Sequence, residues 1–254
     1  MFRIKKFLGQ HFLKDKNIAN KIVNLIPDFT LPILEIGAGT GILTKILNEK
    51  APENLFIIEI DTESVTFLKK EIPQLSDRIY NSDFLKTDLN KLFDDKFIVI
   101  GNFPYNISSQ ILFKLIEHRE NVPFIVGMFQ KEVAERIAAA PNSKQYGILS
   151  VWLQMFYKIK YCFTVNENVF IPPPKVKSGV ITLERIERDL KGVDEKLLLK
   201  IIKTGFNQRR KTLRNSLSSL FEKSLSTHNL FDLRPEQLLL EDFILLAQFL
   251  ENKF

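Results

Sequence analysis

Three glycines set just after a buried-looking strand constrain this chain more than any other feature. Residues 31–36 read Leu-Pro-Ile-Leu-Glu-Ile and run into Gly37-Ala38-Gly39-Thr40-Gly41, and an amphipathic helical pattern then continues to about residue 50. Glycines between strand and helix permit positive φ and let a ligand approach bare backbone. A dinucleotide-binding turn wants a further glycine where Ile42 stands, and no G-K-[ST] follows for a phosphate-cradling loop. Four more apolar runs, at 54–61, 78–83, 97–100 and 123–129, alternate with helical patterns. That alternation predicts an α/β fold with a mostly parallel, doubly wound, Rossmann-like sheet. An apolar helix over 146–157 and an edge hairpin at 158–165 and 179–183 extend it.

Chemistry-bearing residues fall where such a sheet places its ligands. Glu59 lies 22 residues beyond Gly37, where one carboxylate accepts both hydroxyls of a ribose. Asp61 reads as the N-cap of the next helix. Asn102-Phe103-Pro104-Tyr105 follow the 97–100 strand at its carboxyl end. Asn102 Oδ1 and a neighbouring main-chain carbonyl can accept the protons of an exocyclic amine while Tyr105 stacks on the ring. A plain strand and proline turn is the alternative. Three prolines at 172–174 hold a connection extended, which either projects Phe170 as an aromatic wall or merely joins two strands.

Two stretches are basic, residues 1–16 and residues 203–223. Residues 1–16 carry Arg3, Lys5, Lys6, Lys14 and Lys16 against Asp15, as a solvated tail or as a binding arm. Asp15 is placed to cap a helix containing Ile18, Ile22, Val23 and Ile26. From residue 189 the pattern becomes helical, which divides the chain into 1–188 and a small all-helical domain, 189–254. There Arg209, Arg210, Lys211 and Arg214 lie on a helix expected to open at 205–215; they suit phosphates, or are simply a solvated face. The formal charge of +6 agrees with a polyanionic partner without requiring one. A single cysteine, Cys162, excludes an internal disulfide and suggests a reducing compartment. Three histidines at no ligand spacing argue against a metal. No apolar run approaches the ~20 residues of a membrane span, so a cytoplasmic protein is expected.

The pattern E-x-G-x-G-x-G at 35–41 resembles motif I of S-adenosylmethionine-dependent methyltransferases, and Asn-x-Pro-Tyr resembles the signature of amino-directed nucleic-acid methyltransferases. Further stretches stand in family order: G-Q-H-F-L at 9–13, I-E-I-D at 58–61, S-D at 82–83 and G-N-F-P-Y-N-I-S at 101–108. Q-K-E-V-A-E-R at 130–136, F-I-P-P-P-K-V-K-S at 170–178 and F-N-Q-R-R-K-T-L-R-N at 206–215 complete them. Together they are similar to the rRNA adenine N6-dimethyltransferase family, and most nearly to its bacterial small-subunit (16S) branch. Ala38, Ser82 and Phe103 depart from its usual proline, glycine and leucine.

The resemblance implies transfer of methyl groups from S-adenosylmethionine to N6 of two adjacent adenosines near the 3′ end of small-subunit rRNA. It implies that His11 and Leu13 cover the cofactor, that Gly37 and Gly39 pass beneath its methionyl part, and that Glu59 and Asp83 hold ribose and adenine. Asn102 and the Phe103 carbonyl would orient the target amine, with Pro104, Tyr105 and Phe170 completing the pocket. The division becomes a catalytic domain, 1–188, and an RNA-binding domain, 189–254. The partner is rRNA in the assembling small subunit, with no membrane and no metal. A monomer is expected, on no direct signal. Rivals are a large-subunit rRNA adenine methylase, a DNA adenine methyltransferase, and an RNA-binding assembly factor with an idle cofactor pocket.

Overall fold

A short strand, β1 (Phe12–Leu13), and a helix, α1 (Lys16–Val23), come before the main sheet. Asp15 caps α1 by accepting the Asn17 and Ile18 N–H groups at 2.8 and 3.1 Å. The computed structural model of the chain describes Lys5, residues 9–221 and residues 228–251.

Strand β2 (Ile33–Ile36) buries all four residues, as a parallel strand covered on both faces does. The chain then alternates: α2 (Ile42–Lys50), β3 (Leu55–Glu59), α3 (Thr62–Glu71), β4 (Ile79–Asn81), β5 (Ile98–Asn102), α4 (Ser108–Glu117), β6 (Phe124–Gln130) and α5 (Lys131–Ile137). After α6 (Ile148–Phe156) come β7 (Tyr157–Val165), β8 (Phe170–Ile171) and β9 (Ser178–Arg185). The seven-stranded sheet has the order β4-β3-β2-β5-β6-β9-β7. The first five strands run parallel and β9 lies antiparallel to β6. From β2 the chain winds outward through β3 and β4, then crosses back to β5 and β6. The order reverses between β2 and β5, and ligands bind above the carboxyl ends at such a point.

Strand β5 is longer than its β-branched run implies. Gly101 pairs with Gly127 and Asn102 with Met128, so Asn102 ends the strand instead of following it. The paired glycines have a steric reason. A Cβ on Gly127 would come within 2.3 Å of the Phe129 ring and 2.8 Å of the Phe103 ring, and one on Gly101 within 2.8 Å of Phe103. Their bare backbone makes the slot in which Phe103 and Phe129 pack, ring centroids 5.0 Å apart.

Phe170 does not project. In β8 it pairs with Leu13 of β1 and is 1% exposed, packed in the hydrophobic core, while Ile171 is 52% exposed. Pairing with β1 imposes period-two alternation, and the apolar face containing Leu13 takes Phe170 inward.

By compactness the chain forms two units, Met1–Ala134 with Lys158–Arg185, and Glu135–Tyr157 with Ile186–Phe254. The division expected after residue 188 falls near the later boundary, but residues 135–157 belong to the helical unit. The reason is α6, whose Val151, Trp152, Leu153, Met155 and Phe156 are all buried. It packs on α7 (Glu195–Asn207) and α9 (Leu240–Glu251). The basic stretch also differs from expectation: α7 ends at Asn207, residues 208–212 form a turn, and α8 (Leu213–Ser216) is one short helix. No helix of the described residues is long and apolar enough to cross a membrane.

Candidate active site

The turn after β2 is built on left-handed backbone, with φ of 73° at Gly37, 54° at Gly39 and 77° at Gly41. Side chains rarely adopt these angles. A Cβ on Gly39 would also strike the Phe12 ring at 2.7 Å. Glu59, at the end of β3, accepts the Gly39 N–H at 2.9 Å and the Asp61 N–H at 2.8 Å, one on each carboxylate oxygen. Burial pushes its pKa up, and the Asp61 and Gly39 amides pull it part of the way back. Each oxygen keeps a lone pair for a further donor. Deeper still, Glu35 is wholly buried and accepts the Thr44 hydroxyl at 2.7 Å. Burial raises its pKa to about 8 against the pull of Thr44, and nearby Glu59 adds to the rise.

Asp83 begins a 3-10 turn and accepts the Leu85 N–H at 2.9 Å through Oδ1. On the other side of the cavity Asn102 donates from Nδ2 to the His11 carbonyl at 2.9 Å. That bond commits the amide nitrogen and leaves Oδ1 as acceptor. The Phe103 N–H is taken by Met128, whereas no described group donates to the Phe103 carbonyl. Tyr105 hydrogen-bonds Ser178 at 2.7 Å, and its ring stacks on His11 with centroids 5.6 Å apart. His11 donates from Nδ1 to the Pro172 carbonyl at 2.8 Å, since a carbonyl only accepts.

An arm preceding β1 is fastened to this site. The Lys5 ammonium pairs with Asp61 and, at 3.3 Å, with Glu63; Gln10 also donates to Asp61 at 3.3 Å. Asp61 caps α3 as expected, but its larger role is to receive the arm. Burial alone would raise its pKa, and the hydrogen bonds from Lys5, Ser64 and Gln10 bring it below the usual value. No signal in the sequence pairs Lys5 with Asp61. Glu35 was visible only as the first letter of its motif.

One cavity is lined by His11, Leu13, Gly37, Gly39, Glu59, Asp83, Asn102, Phe103, Pro104 and Tyr105. Of the residues expected there, Phe170 alone is not brought to it. Among the described residues no cluster of His, Cys, Asp or Glu could hold a metal ion. In the helical unit Arg209 is engaged internally, donating to the Ser143 and Lys144 carbonyls at 3.0 and 2.6 Å and lying 3.7 Å from Glu236. Arg214 pairs with Asp232 at 2.6 Å. Arg210 and Lys211 are exposed. Arg3, Lys6 and Lys223 lie outside the described residues.

A family model described as ribosomal RNA adenine dimethylase matches residues 1–241. The chain belongs to that family. It is 55% identical over 243 residues to the ribosomal RNA small subunit methyltransferase A of Parabacteroides distasonis, covering 94% of this chain and 91% of that protein. Among solved structures, a dimethyladenosine transferase from Plasmodium falciparum matches with a TM-score of 0.80 and 28% identity, over 96% of this chain and 99% of that one. The 23S rRNA methyltransferase ErmE shares the fold, with a TM-score of 0.65 at 22% identity over 93% of this chain and 99% of that one. The chain therefore shares the α/β fold of these methyltransferases.

Proposed function

We propose that the chain methylates N6 of two adjacent adenosines in a loop near the 3′ end of small-subunit (16S) rRNA, giving N6,N6-dimethyladenosine, with S-adenosylmethionine as cofactor. The observation that carries this reading is the Asn102–His11 bond, which leaves Asn102 Oδ1 as acceptor in the cavity that Glu59 and the glycine turn also line. The residues fit the cofactor. The nearest atom to a Cβ placed on Gly37 is Pro104 Cδ at 3.9 Å, so the backbone there is open. Glu59 can accept ribose hydroxyls, and Asp83 an adenine amine.

S-adenosylmethionine, when bound, supplies a methyl group activated by its sulfonium charge. The protein's part is positioning. Asn102 Oδ1 and the Phe103 carbonyl accept the protons of the target amine, so that its lone pair is aimed. Tyr105, braced by His11 and Ser178, offers a ring edge and one face to an unstacked base. Arg210 and Lys211 supply phosphate contacts; Arg209 and Arg214 serve mainly to hold the helical unit. The small subunit is preferred over the large because the 55% identical relative bears the small-subunit name, whereas the likeness to ErmE concerns fold alone. Such an enzyme works in the cytoplasm, on the assembling subunit.

Parallel incubation of under-methylated small and large subunits with methyl-labelled cofactor tests the reading. Label is expected in small-subunit rRNA. Label confined to the large subunit would refute it.

A further inference from the structure

Lys114 sits in the last turn of α4, where a lysine ordinarily points its ammonium into water. Here its three protons go to three main-chain carbonyls, Phe84 at 2.7 Å, Leu85 at 3.2 Å and Thr87. Those carbonyls belong to the turn that opens with Asp83. Its other described hydrogen bonds are internal apart from the Ser82 N–H, which bonds the Glu59 carbonyl at 3.1 Å and ties the near side to β3, while the Phe84 side chain is buried. Leu85 N–H bonds Asp83 Oδ1, the Lys86 and Thr87 N–H groups both bond the Asp83 carbonyl at 3.0 Å, and the Thr87 hydroxyl bonds Ser82 and the Asp83 carbonyl. The internal bonds shape the turn without fixing where it stands, and the Ser82 bond to β3 holds only the side before Asp83. Lys114 ties it to α4, whose Ile111, Leu112, Leu115 and Ile116 are buried. Burial lowers the ammonium's pKa, and Asp83 nearby raises it.

We propose that Lys114 is the positioning residue of the adenine subsite. By gripping the carbonyls of residues 84, 85 and 87 it sets where the Asp83 carboxylate stands, and so selects a 6-amino over a 6-oxo purine in the cofactor. Lys114 is not among the residues lining the cavity and acts only through Asp83. The inference rests on the reading of Asp83 as acceptor for the adenine amine. A carboxylate rejects a carbonyl oxygen in place of that amine because neither has a proton to give.

The test is calorimetric and needs no turnover. S-adenosylhomocysteine and its deaminated analogue S-inosylhomocysteine are titrated into wild type, Asp83→Ala, Lys114→Met and Lys114→Gln. Wild type should prefer the adenosyl form by about tenfold or more, and Asp83→Ala should lose that preference. Lys114→Met should cut the ratio by about threefold or more, and Lys114→Gln, which keeps two donors, by less. If Lys114→Met does not fold, Lys114→Gln carries the comparison, and any fall in its ratio supports the proposal. Equal weakening of both ligands by the lysine variants, with Asp83→Ala still losing the preference, would make Lys114 merely structural and overturn the proposal. An unchanged ratio in Asp83→Ala would instead overturn the adenine reading itself, and this inference with it.

Discussion

Asn102 Nδ2 and the His11 carbonyl meet at 2.9 Å although 91 residues of chain separate them. One amide thus joins two structures, the end of β5 and the stretch leading into β1, which line the same cavity. The same arm places Phe12 against Gly39 and His11 against Tyr105.

Replacing Asn102 by Ala should therefore do two things. Methyl transfer should slow on the order of 100-fold or more, as when a positioning hydrogen bond is removed from an active site. Cofactor affinity should also fall, by a few-fold, because the arm loses an anchor. Single-turnover rates and calorimetry on the same preparation separate the effects; normal turnover would remove Asn102 from its proposed place.

Glu59→Gln puts an amide nitrogen where one of two main-chain N–H groups now donates. Two donors then face each other, and one carboxylate oxygen is lost to the ribose. S-adenosylmethionine should bind more weakly by about 1.5–3 kcal/mol, the range for hydrogen bonds to charged groups. Unchanged affinity in a titration would contradict the assignment.

Glu35 makes stability depend on pH. Its pKa in the fold is about 8 against 4.5 for an ordinary glutamate, so the folded state holds a proton that the unfolded chain gives up. The contribution is fully present below pH 4.5 and is lost as pH rises through about 8. The full contribution is on the order of 5 kcal/mol, of which about 3 should be lost between pH 5 and 8. Glu35→Gln, which keeps an oxygen for Thr44, should flatten this slope in urea melts at pH 5 to 8. A slope equal to the parent's would show that Glu35 titrates normally.

Arg209 and its neighbours should separate in function. Arg209→Ala loses hydrogen bonds to two carbonyls and should cost about 1–3 kcal/mol of stability. Neutralising Arg210 and Lys211 together should leave the melting temperature unchanged and reduce the salt dependence of RNA binding by about one to two ions. If the Arg210 and Lys211 variant kept the parent's salt slope, the basic turn would have no part in RNA binding.

Local signals in the sequence foretold local features well. The β-branched runs at 33–36, 55–58 and 98–100 are parallel strands, Asp15 and Asp61 are caps, and the glycines take positive φ. What was illegible depends on pairing at a distance. Phe170 turns inward because a strand far upstream in the sequence, at Phe12–Leu13, pairs with it. Arg209 reads as one more surface charge until its carbonyl partners at Ser143 and Lys144 are in place. Asn102 shows its acceptor chemistry in its motif, but not the bond to His11 that orients it. Composition likewise cannot say that α6 belongs with α7 and α9.

On the proposed function this pocket accepts an adenine N6 twice. A monomethylated amine keeps one proton, which Asn102 Oδ1 would still accept, and the Tyr105 ring would give the first methyl an apolar wall. The most direct measurement is mass spectrometry of nucleosides digested from under-methylated small-subunit rRNA during a time course with S-adenosylmethionine. N6-methyladenosine should rise early and give way to N6,N6-dimethyladenosine at two neighbouring positions. N6-methyladenosine alone at saturation, or no modified adenosine in that RNA, would contradict the proposed function.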